Sequence, residues 1–166
     1  MSMPKRPKRL TLADSGRAII CPPDAAGRSW TLRLLGLACR YDGAAKPREE
    51  ILVLKERHEL IPVCPEQMGG LSTPRIPAER QGDRVVTREG GDVTAQYRKG
   101  AEEALKLCRL FDCDCAVLKE RSPSCGCDGI YDGSFSGCLT QGQGVTAELL
   151  ARAGIRVYGE SQTGDL

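Results

Sequence analysis

The sequence predicts an α/β fold, with a single domain whose largely parallel sheet is flanked by helices. The chain has 166 residues, which is enough for one hydrophobic core and too few for two ordinary domains. Short apolar segments alternate along it with longer amphipathic segments, which is the pattern of βα units. No internal repeat interrupts this alternation.

Both ends of the chain are predicted to lie outside the domain. Residues 1–29 contain four prolines and scattered charges without a sustained hydrophobic period, which is typical of a loosely ordered basic extension. We therefore expect the folded domain to begin near Trp30 and to span residues 30–160. Residues 161–166 are expected to form a short tail.

The first half of the predicted domain contains two strands and one helix. The segment "WTLRLLGLA" predicts a buried strand that leads into the turn "CRYDG". Charges in the first turn and a mixed apolar pattern predict a helix in "REEILVLKERHEL". The run "LIPVCPE" predicts a second strand with Cys64 at its carboxyl end. Glycines and prolines indicate a loop in "QMGGLSTPRIPAERQGDRVV".

The second half shows clearer periodicity. Apolar residues at helical spacing predict a helix from Thr94 to Leu110, which Asp92 or Thr94 could cap. A strand is predicted in "CAVLKE", and a turn or tight hairpin in "GIYDGSFSG". The last helix is expected at Val145–Ala153, because Gly154 stands at the usual stop position before the final strand "IRVYG".

Charge and hydropathy argue against some classes of protein. The formal net charge is +2, but residues 1–29 carry six Lys or Arg against two Asp or Glu, so the remainder is slightly acidic. A nearly neutral domain does not favour tracking of nucleic-acid phosphates, and the run "KRPKR" is typical of a solvated arm. No run reaches the roughly 18 apolar residues of a membrane span. We expect a cytoplasmic protein without a membrane partner.

Cysteine is unusually frequent in this chain. Thiols of cytoplasmic proteins are kept reduced, and the number of cysteines is odd, so a disulfide framework is not expected. Metal binding or thiol chemistry is the favoured interpretation. The nine cysteines are Cys21, Cys39, Cys64, Cys108, Cys113, Cys115, Cys125, Cys127 and Cys138.

A structural zinc protein is one alternative. Closed zinc sites need four ligands at recognisable spacing, whereas "CDC" and "CGC" are C-x-C pairs. His58 lies among charged residues of a predicted helix and is expected at the surface. Cys108, Cys113 and Cys115 are expected to be buried as small apolar residues. The zinc interpretation is therefore the less favoured one.

Cys39, Cys64 and Cys125 differ from the other cysteines because each follows the end of a predicted strand. Ligands of open α/β sheets bind outside the carboxyl ends of the strands, so these three thiols could converge. Three thiolates suit an iron–sulfur cluster in which one iron has no protein ligand. Such an iron could bind a soft sulfur atom of a substrate.

Glu66 and Ser122 accompany these thiols, because they lie two residues after Cys64 and three residues before Cys125. A carboxyl in a partly dry pocket can transfer protons near neutral pH, and a hydroxyl beside it can attack or orient a substrate. A helix-capping Glu and a turn-forming Ser are equally consistent with this spacing.

Six motifs together resemble the thiouracil desulfidase family, formerly described only as a domain of unknown function. They occur in the family's order and spacing from about Leu34 to Tyr158, and they leave residues 1–29 uncovered. The motifs are "LLGLACRYDG", "IPVCPEQMGGLSTPR", "DVTAQYRKGAEEAL", "LKERSPSCG", "IYDGSFSG" and "GVTAELL".

The resemblance implies a [4Fe-4S] cluster on three cysteines, whose free iron binds the thiocarbonyl sulfur of a thiolated pyrimidine base or thionucleoside. Sulfide would leave without net redox change. By motif, the cluster ligands fall on Cys64 and Cys125, and the catalytic residues fall on Glu66 and Ser122. Some members of the family act on 4-thiouridine, which makes transfer RNA a further candidate partner.

One position departs from the family pattern. Members usually have a cysteine just before "LLG", and Arg33 occupies this place here. Cys39, in "CRYDG", is expected to serve as the third ligand instead. The alternative is a non-catalytic metal- or nucleotide-binding homologue with a degraded cluster site.

Overall fold

The computed structural model describes residues 16–20, 41–42 and 58–165. Their elements, in chain order, are β1 (Gly16–Ile20), β2 (His58–Pro62), α1 (Pro65–Met68), β3 (Ala78–Gln81), β4 (Arg84–Thr87), α2 (Thr94–Leu110), β5 (Cys115–Leu118), β6 (Ile130–Tyr131), β7 (Leu139–Thr140), α3 (Val145–Arg152), β8 (Arg156–Gly159) and a 3₁₀ helix (Glu160–Asp165).

A four-stranded parallel sheet organises these residues and confirms the predicted α/β fold class. Its strand order is β2-β1-β5-β8, and each neighbouring pair is parallel. Parallel strands end at the same edge of a sheet, which we call the carboxyl edge. Segments that follow β2, β1 and β5 therefore start from adjacent positions along this edge, where open α/β folds bind their ligands.

The core lies where α2 and α3 pack together and β5 is buried. Ala116, Val117 and Leu118 of β5 have no exposed surface, as expected for a strand buried on both faces. Cys108 of α2 and Leu150 of α3 join the same hydrophobic cluster. This burial confirms the interpretation of Cys108, Cys113 and Cys115 as core residues.

The position of β1 differs from the expectation for residues 1–29. Gly16–Ile20 pairs with both β2 and β5, so this part of the predicted extension lies inside the sheet. Five residues are too few to show a hydrophobic period, and the strand is stabilised by its neighbours rather than by its own pattern. The predicted domain start near Trp30 and the predicted strand "WTLRLLGLA" lie outside the described residues.

Other elements can be compared with their predictions. The helix at Thr94–Leu110 is confirmed, and α3 ends one residue before the expected Ala153. The last three residues of the predicted helix "REEILVLKERHEL" are not helical, because His58–Leu60 belongs to β2. The earlier part of this predicted helix lies outside the described residues. His58 is partly buried there. None of the helices in the described part of the chain is long and apolar enough to cross a bilayer.

Several short elements were not expected, among them α1, which begins at Pro65 inside the predicted strand "LIPVCPE", whereas β2 ends at Pro62. Inside the predicted loop, β3 and β4 form an antiparallel hairpin, and Gly82 takes a φ of 60° at its two-residue turn. The hairpin contacts the "YDGSFSG" segment, since the backbone N–H of Phe135 donates to Glu79 at 2.9 Å. Residues expected to form the C-terminal tail instead form the 3₁₀ helix.

Candidate metal centre and active site

Cys64 and Cys125 both lie at the carboxyl edge of the sheet. Cys64 follows the end of β2 at Pro62, and Cys125 lies in the segment that follows the end of β5 at Leu118. Their exposed fractions are 4% and 0%. Val63, next to Cys64, belongs to the same hydrophobic cluster as Cys125. The topology thus brings two of the three predicted cluster cysteines to one side of the molecule.

The short helix α1 fixes Cys64. The Cys64 sulfur accepts a hydrogen bond from the backbone N–H of Gln67 at 3.4 Å, and Pro65 occupies the first position of the helix. Close packing on α2 depends on Gly100, where an added Cβ would lie 1.8 Å from the carbonyl oxygen of Pro65. The absence of a side chain at Gly100 therefore determines how closely the backbone that carries Cys64 and Glu66 approaches α2.

Glu66 is a buried carboxyl with two polar partners. The Nε of Arg75 lies 2.5 Å from Oε2 of Glu66, and Tyr97 also forms a hydrogen bond with this carboxyl. Burial raises the pKa of Glu66, and this effect outweighs the opposite effects of Arg75 and Tyr97. Glu66 therefore holds a proton more tightly than a carboxyl in water does.

Arg75 also contacts the predicted "CRYDG" turn. Its backbone N–H donates to the carbonyl oxygen of Tyr41 at 2.7 Å. Its Nη1 donates to the carbonyl oxygen of Ser72 at 3.2 Å and to Oγ1 of Thr73 at 3.0 Å. Tyr41 is thus adjacent to the Glu66 site, whereas Cys39, two residues earlier in the chain, lies outside the described residues.

Ser122 shapes the loop that carries Cys125. Its buried Oγ accepts hydrogen bonds from the backbone N–H groups of Ser124 at 3.1 Å and of Cys125 at 3.2 Å. The turn-forming interpretation of Ser122 is therefore confirmed. A hydroxyl that accepts two hydrogen bonds still has one proton to donate, so a catalytic role for Ser122 stays a prediction.

The first turn of α3 holds the Cys125 loop in place. The backbone N–H of Thr146 donates to the carbonyl oxygen of Ser124 at 2.7 Å, and that of Gly144 donates to Gly126 at 2.8 Å. A Cβ at Gly144 would lie 2.3 Å from the carbonyl carbon of Ser124 and 2.5 Å from the nitrogen of Cys125. The loop thus satisfies N–H groups that a helix start leaves without a partner in the helix.

No three His, Cys, Asp or Glu side chains form a metal-binding group among the described residues. Cys21 is a candidate third cluster ligand that sequence reasoning missed. In the sequence it directly follows Ile20, the last residue of β1. Ile20 pairs with Pro62 and with Val117, at the carboxyl edge. The available signal was the short apolar run "AII" directly before this cysteine.

The cysteines of the described residues differ in chemical state. Cys125 forms a disulfide bond, which departs from the expectation of reduced thiols, so its sulfur must be reduced before it can bind iron. Cys64 is free. Burial raises the pKa of Cys108 to about 12 and that of Cys127 to about 11, which disfavours their thiolates. Cys138 is free and exposed.

Glu160, a partly buried carboxyl at the start of the 3₁₀ helix, pairs with Lys119 at the end of β5, where the sequence predicted no site. The Nζ of Lys119 lies 2.7 Å from Oε1 of Glu160, and Oε2 of Glu160 accepts a hydrogen bond from the backbone N–H of Glu120 at 3.2 Å. Burial raises the pKa of Glu160 to about 7, although Lys119 and the backbone N–H act in the opposite direction. This ion pair connects β5 to the 3₁₀ helix.

Comparisons with known proteins agree with this architecture. The sequence model of a family described as 2-thiouracil desulfurase matches residues 33–162. An uncharacterized protein, YbbK, from Bacillus subtilis (strain 168) is 41% identical over 141 residues, which cover 79% of this chain and 93% of the relative.

A solved structure is also similar. It is described as a [4Fe-4S]-dependent thiouracil desulfidase, TudS, and has a TM-score of 0.78 and 43% sequence identity, with 91% of this chain and 95% of that chain covered.

Proposed function

Because the chain belongs to the 2-thiouracil desulfurase family, we propose that it removes sulfur from a thiolated pyrimidine base with the help of a [4Fe-4S] cluster. In this reaction an oxygen atom from water replaces the thiocarbonyl sulfur, and the sulfur leaves as hydrogen sulfide. The carbon keeps its oxidation state, so the reaction needs no electron donor or acceptor.

One observation carries the proposal. Cys64 and Cys125 come from segments after two different parallel strands, and both are buried at the carboxyl edge. Thiolate sulfur is the usual protein ligand of iron–sulfur clusters, so this pair of side chains fits the group that the similar solved structure is described as using.

The third thiolate has two candidate sources. Cys39 is the substitute expected from the sequence for the cysteine that the family usually has where Arg33 stands, and Tyr41, two residues later in the chain, contacts Arg75. Cys21 is the ligand that the topology favours, because it directly follows the strand between β2 and β5. Either cysteine would complete the set with Cys64 and Cys125, despite Arg33 at the position where the family usually has cysteine.

The described side chains supply positioning and proton transfer. A cluster held by three thiolates supplies an iron without a protein ligand, which suits a thiocarbonyl sulfur. Arg75 donates to Oε2 of Glu66, and burial favours a proton on this carboxyl. Glu66 exchanges this proton with water and with the departing sulfur. Ser122 orders the Cys125 loop and has a hydroxyl proton to donate toward the substrate carbon.

The test is sulfide release by protein loaded with iron and sulfide without air, after reduction of its thiols. We expect equal amounts of sulfide and uracil from 2-thiouracil, and loss of turnover in loaded Glu66→Gln protein. Parallel assays with 4-thiouracil, 4-thiouridine and thiolated transfer RNA identify the preferred substrate; we expect the free bases to react. Loaded protein that releases no sulfide from any of these compounds contradicts the proposal. Failure to take up iron supports the non-catalytic homologue.

A further inference from the structure

We propose that Arg75 is a positioning residue for desulfuration, which orients the Glu66 carboxylate beside Cys64 and joins the Tyr41 segment to the same site. This inference rests on the proposed function. Arg75 ends the motif "GGLSTPR", and the roles assigned to Cys64, Glu66 and Ser122 leave this part of the sequence unexplained.

The Arg75–Glu66 ion pair is shielded from water. The two side chains are 8% and 9% exposed, and their Nε and Oε2 atoms lie 2.5 Å apart. In the comparable pair of Arg84 and Asp92 the side chains are 64% and 46% exposed, so water competes for both charges. Removal of one partner of a buried pair leaves an uncompensated charge in the interior. The geometry of Glu66 therefore depends on Arg75.

The guanidinium is itself held in a fixed orientation. Its Nη1 donates to the Ser72 carbonyl and to Oγ1 of Thr73, while Nε donates to Glu66. The backbone N–H of the same residue binds the carbonyl of Tyr41. A planar guanidinium with several fixed donors sets the orientation of the carboxylate that it binds. The ammonium group of lysine cannot reproduce this geometry.

Arg75 also interacts electrostatically with Cys64. The positive charge of Arg75 thus acts on both the predicted proton carrier and a predicted cluster ligand. Tyr97 forms a second hydrogen bond with Glu66 from α2, the helix on which α1 packs at Gly100. Glu66 is therefore oriented by donors from two separate segments, as proton transfer to a bound substrate requires.

The experiment compares cluster-loaded Arg75→Gln, Arg75→Lys and Tyr97→Phe proteins with the wild type, and Arg84→Gln is the matched control for loss of an exposed ion pair. Iron, sulfide and the visible absorbance of the cluster are measured first, and then kcat and KM for 2-thiouracil. We expect Arg75→Gln to keep its cluster and to lose about 100-fold in kcat per cluster, because a misplaced catalytic group costs this much. KM should change little.

Arg75→Lys and Tyr97→Phe should each lose less kcat than Arg75→Gln. Arg84→Gln should match the wild type. A double-mutant cycle provides a measurement that does not depend on turnover. The stabilities of Arg75→Gln, Glu66→Gln and the double variant are measured by thermal unfolding and compared with the wild type. The double variant should lose less stability than the sum of the single losses, because it leaves no unpaired charge.

Two results overturn the inference. One is a kcat per cluster in Arg75→Gln and Arg75→Lys that stays near the wild-type value. The other is loss of the cluster together with the fold in both variants, which would make Arg75 a structural residue only. Wild-type protein that holds a cluster but releases no sulfide is a separate result, which contradicts the proposed function itself.

Discussion

Ile20, the last residue of β1, pairs with Pro62, the last residue of β2. Cys21 directly follows the first of these residues in the chain, and Cys64 lies two residues after the second. On its other side β1 pairs with β5, whose following loop carries Cys125. Cysteines thus follow three adjacent parallel strands, and this arrangement makes the carboxyl edge suitable for a cluster with three thiolate ligands.

The topology leads to a prediction about the third ligand. We expect Cys21→Ser protein to lose most of its iron after anaerobic loading, and Cys39→Ser protein to retain most of it. Iron content, inorganic sulfide and visible absorbance per chain provide the measurement. Full iron in Cys21→Ser together with iron loss in Cys39→Ser would assign the third ligand to Cys39 and would contradict the prediction from topology.

Gly144 provides a test of how the Cys125 loop is held. A Cβ in Gly144→Ala would lie within 2.5 Å of three backbone atoms of Ser124 and Cys125, so the loop must shift. We expect a loss of about 1–3 kcal/mol in the free energy of unfolding and a lower cluster content. The control is Gly129→Ala in the same loop, where the nearest atom to an added Cβ lies 3.5 Å away. Equal cluster content and stability in both variants would contradict this account.

Ser122→Ala separates a structural role from a catalytic one. The substitution removes the acceptor of two buried N–H groups, which costs about 1–3 kcal/mol in stability. If Ser122 also donates a proton, kcat per cluster should fall at least about 100-fold in variant protein that retains its cluster. Exposed Ser136→Ala is the control. Unchanged kcat per cluster with lower stability would leave Ser122 as a turn-forming residue only.

Glu160 predicts a specific pH dependence of stability. Because burial raises its pKa from 4.5 to about 7 in the folded state, its contribution is full below pH 4.5 and is lost as the pH rises through 7. Glu160→Gln lacks this titration, so the stability difference between variant and wild type should shift in favour of the variant by up to about 3 kcal/mol as the pH rises over this range. Urea unfolding between pH 4.5 and 8 provides the measurement. Parallel pH profiles for the two proteins would show that the pKa of Glu160 is not raised.

Local sequence pattern was sufficient for the elements with strong periodicity. Tyr97, Ala101, Ala104 and Cys108 recur at helical spacing and are all buried on one face of α2, so its bounds could be predicted. β1 could not be predicted, because its five residues depend on hydrogen bonds to two strands that are distant in the chain.

In the candidate site, too, some residues could be predicted from the sequence and others could not. Glu66 and Ser122 could be proposed because they lie close in sequence to Cys64 and Cys125. Arg75 could not be assigned to Glu66, because most of the eight residues between them lie outside regular elements and their pairing is a property of the folded chain. Sequence separation therefore limited which contacts could be foreseen.

Iron and sulfide content after anaerobic loading tests the central claim most directly. The wild type and the exposed-cysteine control Cys138→Ser should each hold about four iron and four sulfide ions per chain, the composition of a [4Fe-4S] cluster. Cys64→Ser and Cys125→Ser should each lose most of both. Full iron and sulfide in these two variants, or wild-type protein that takes up no iron, would contradict a cluster at the carboxyl edge.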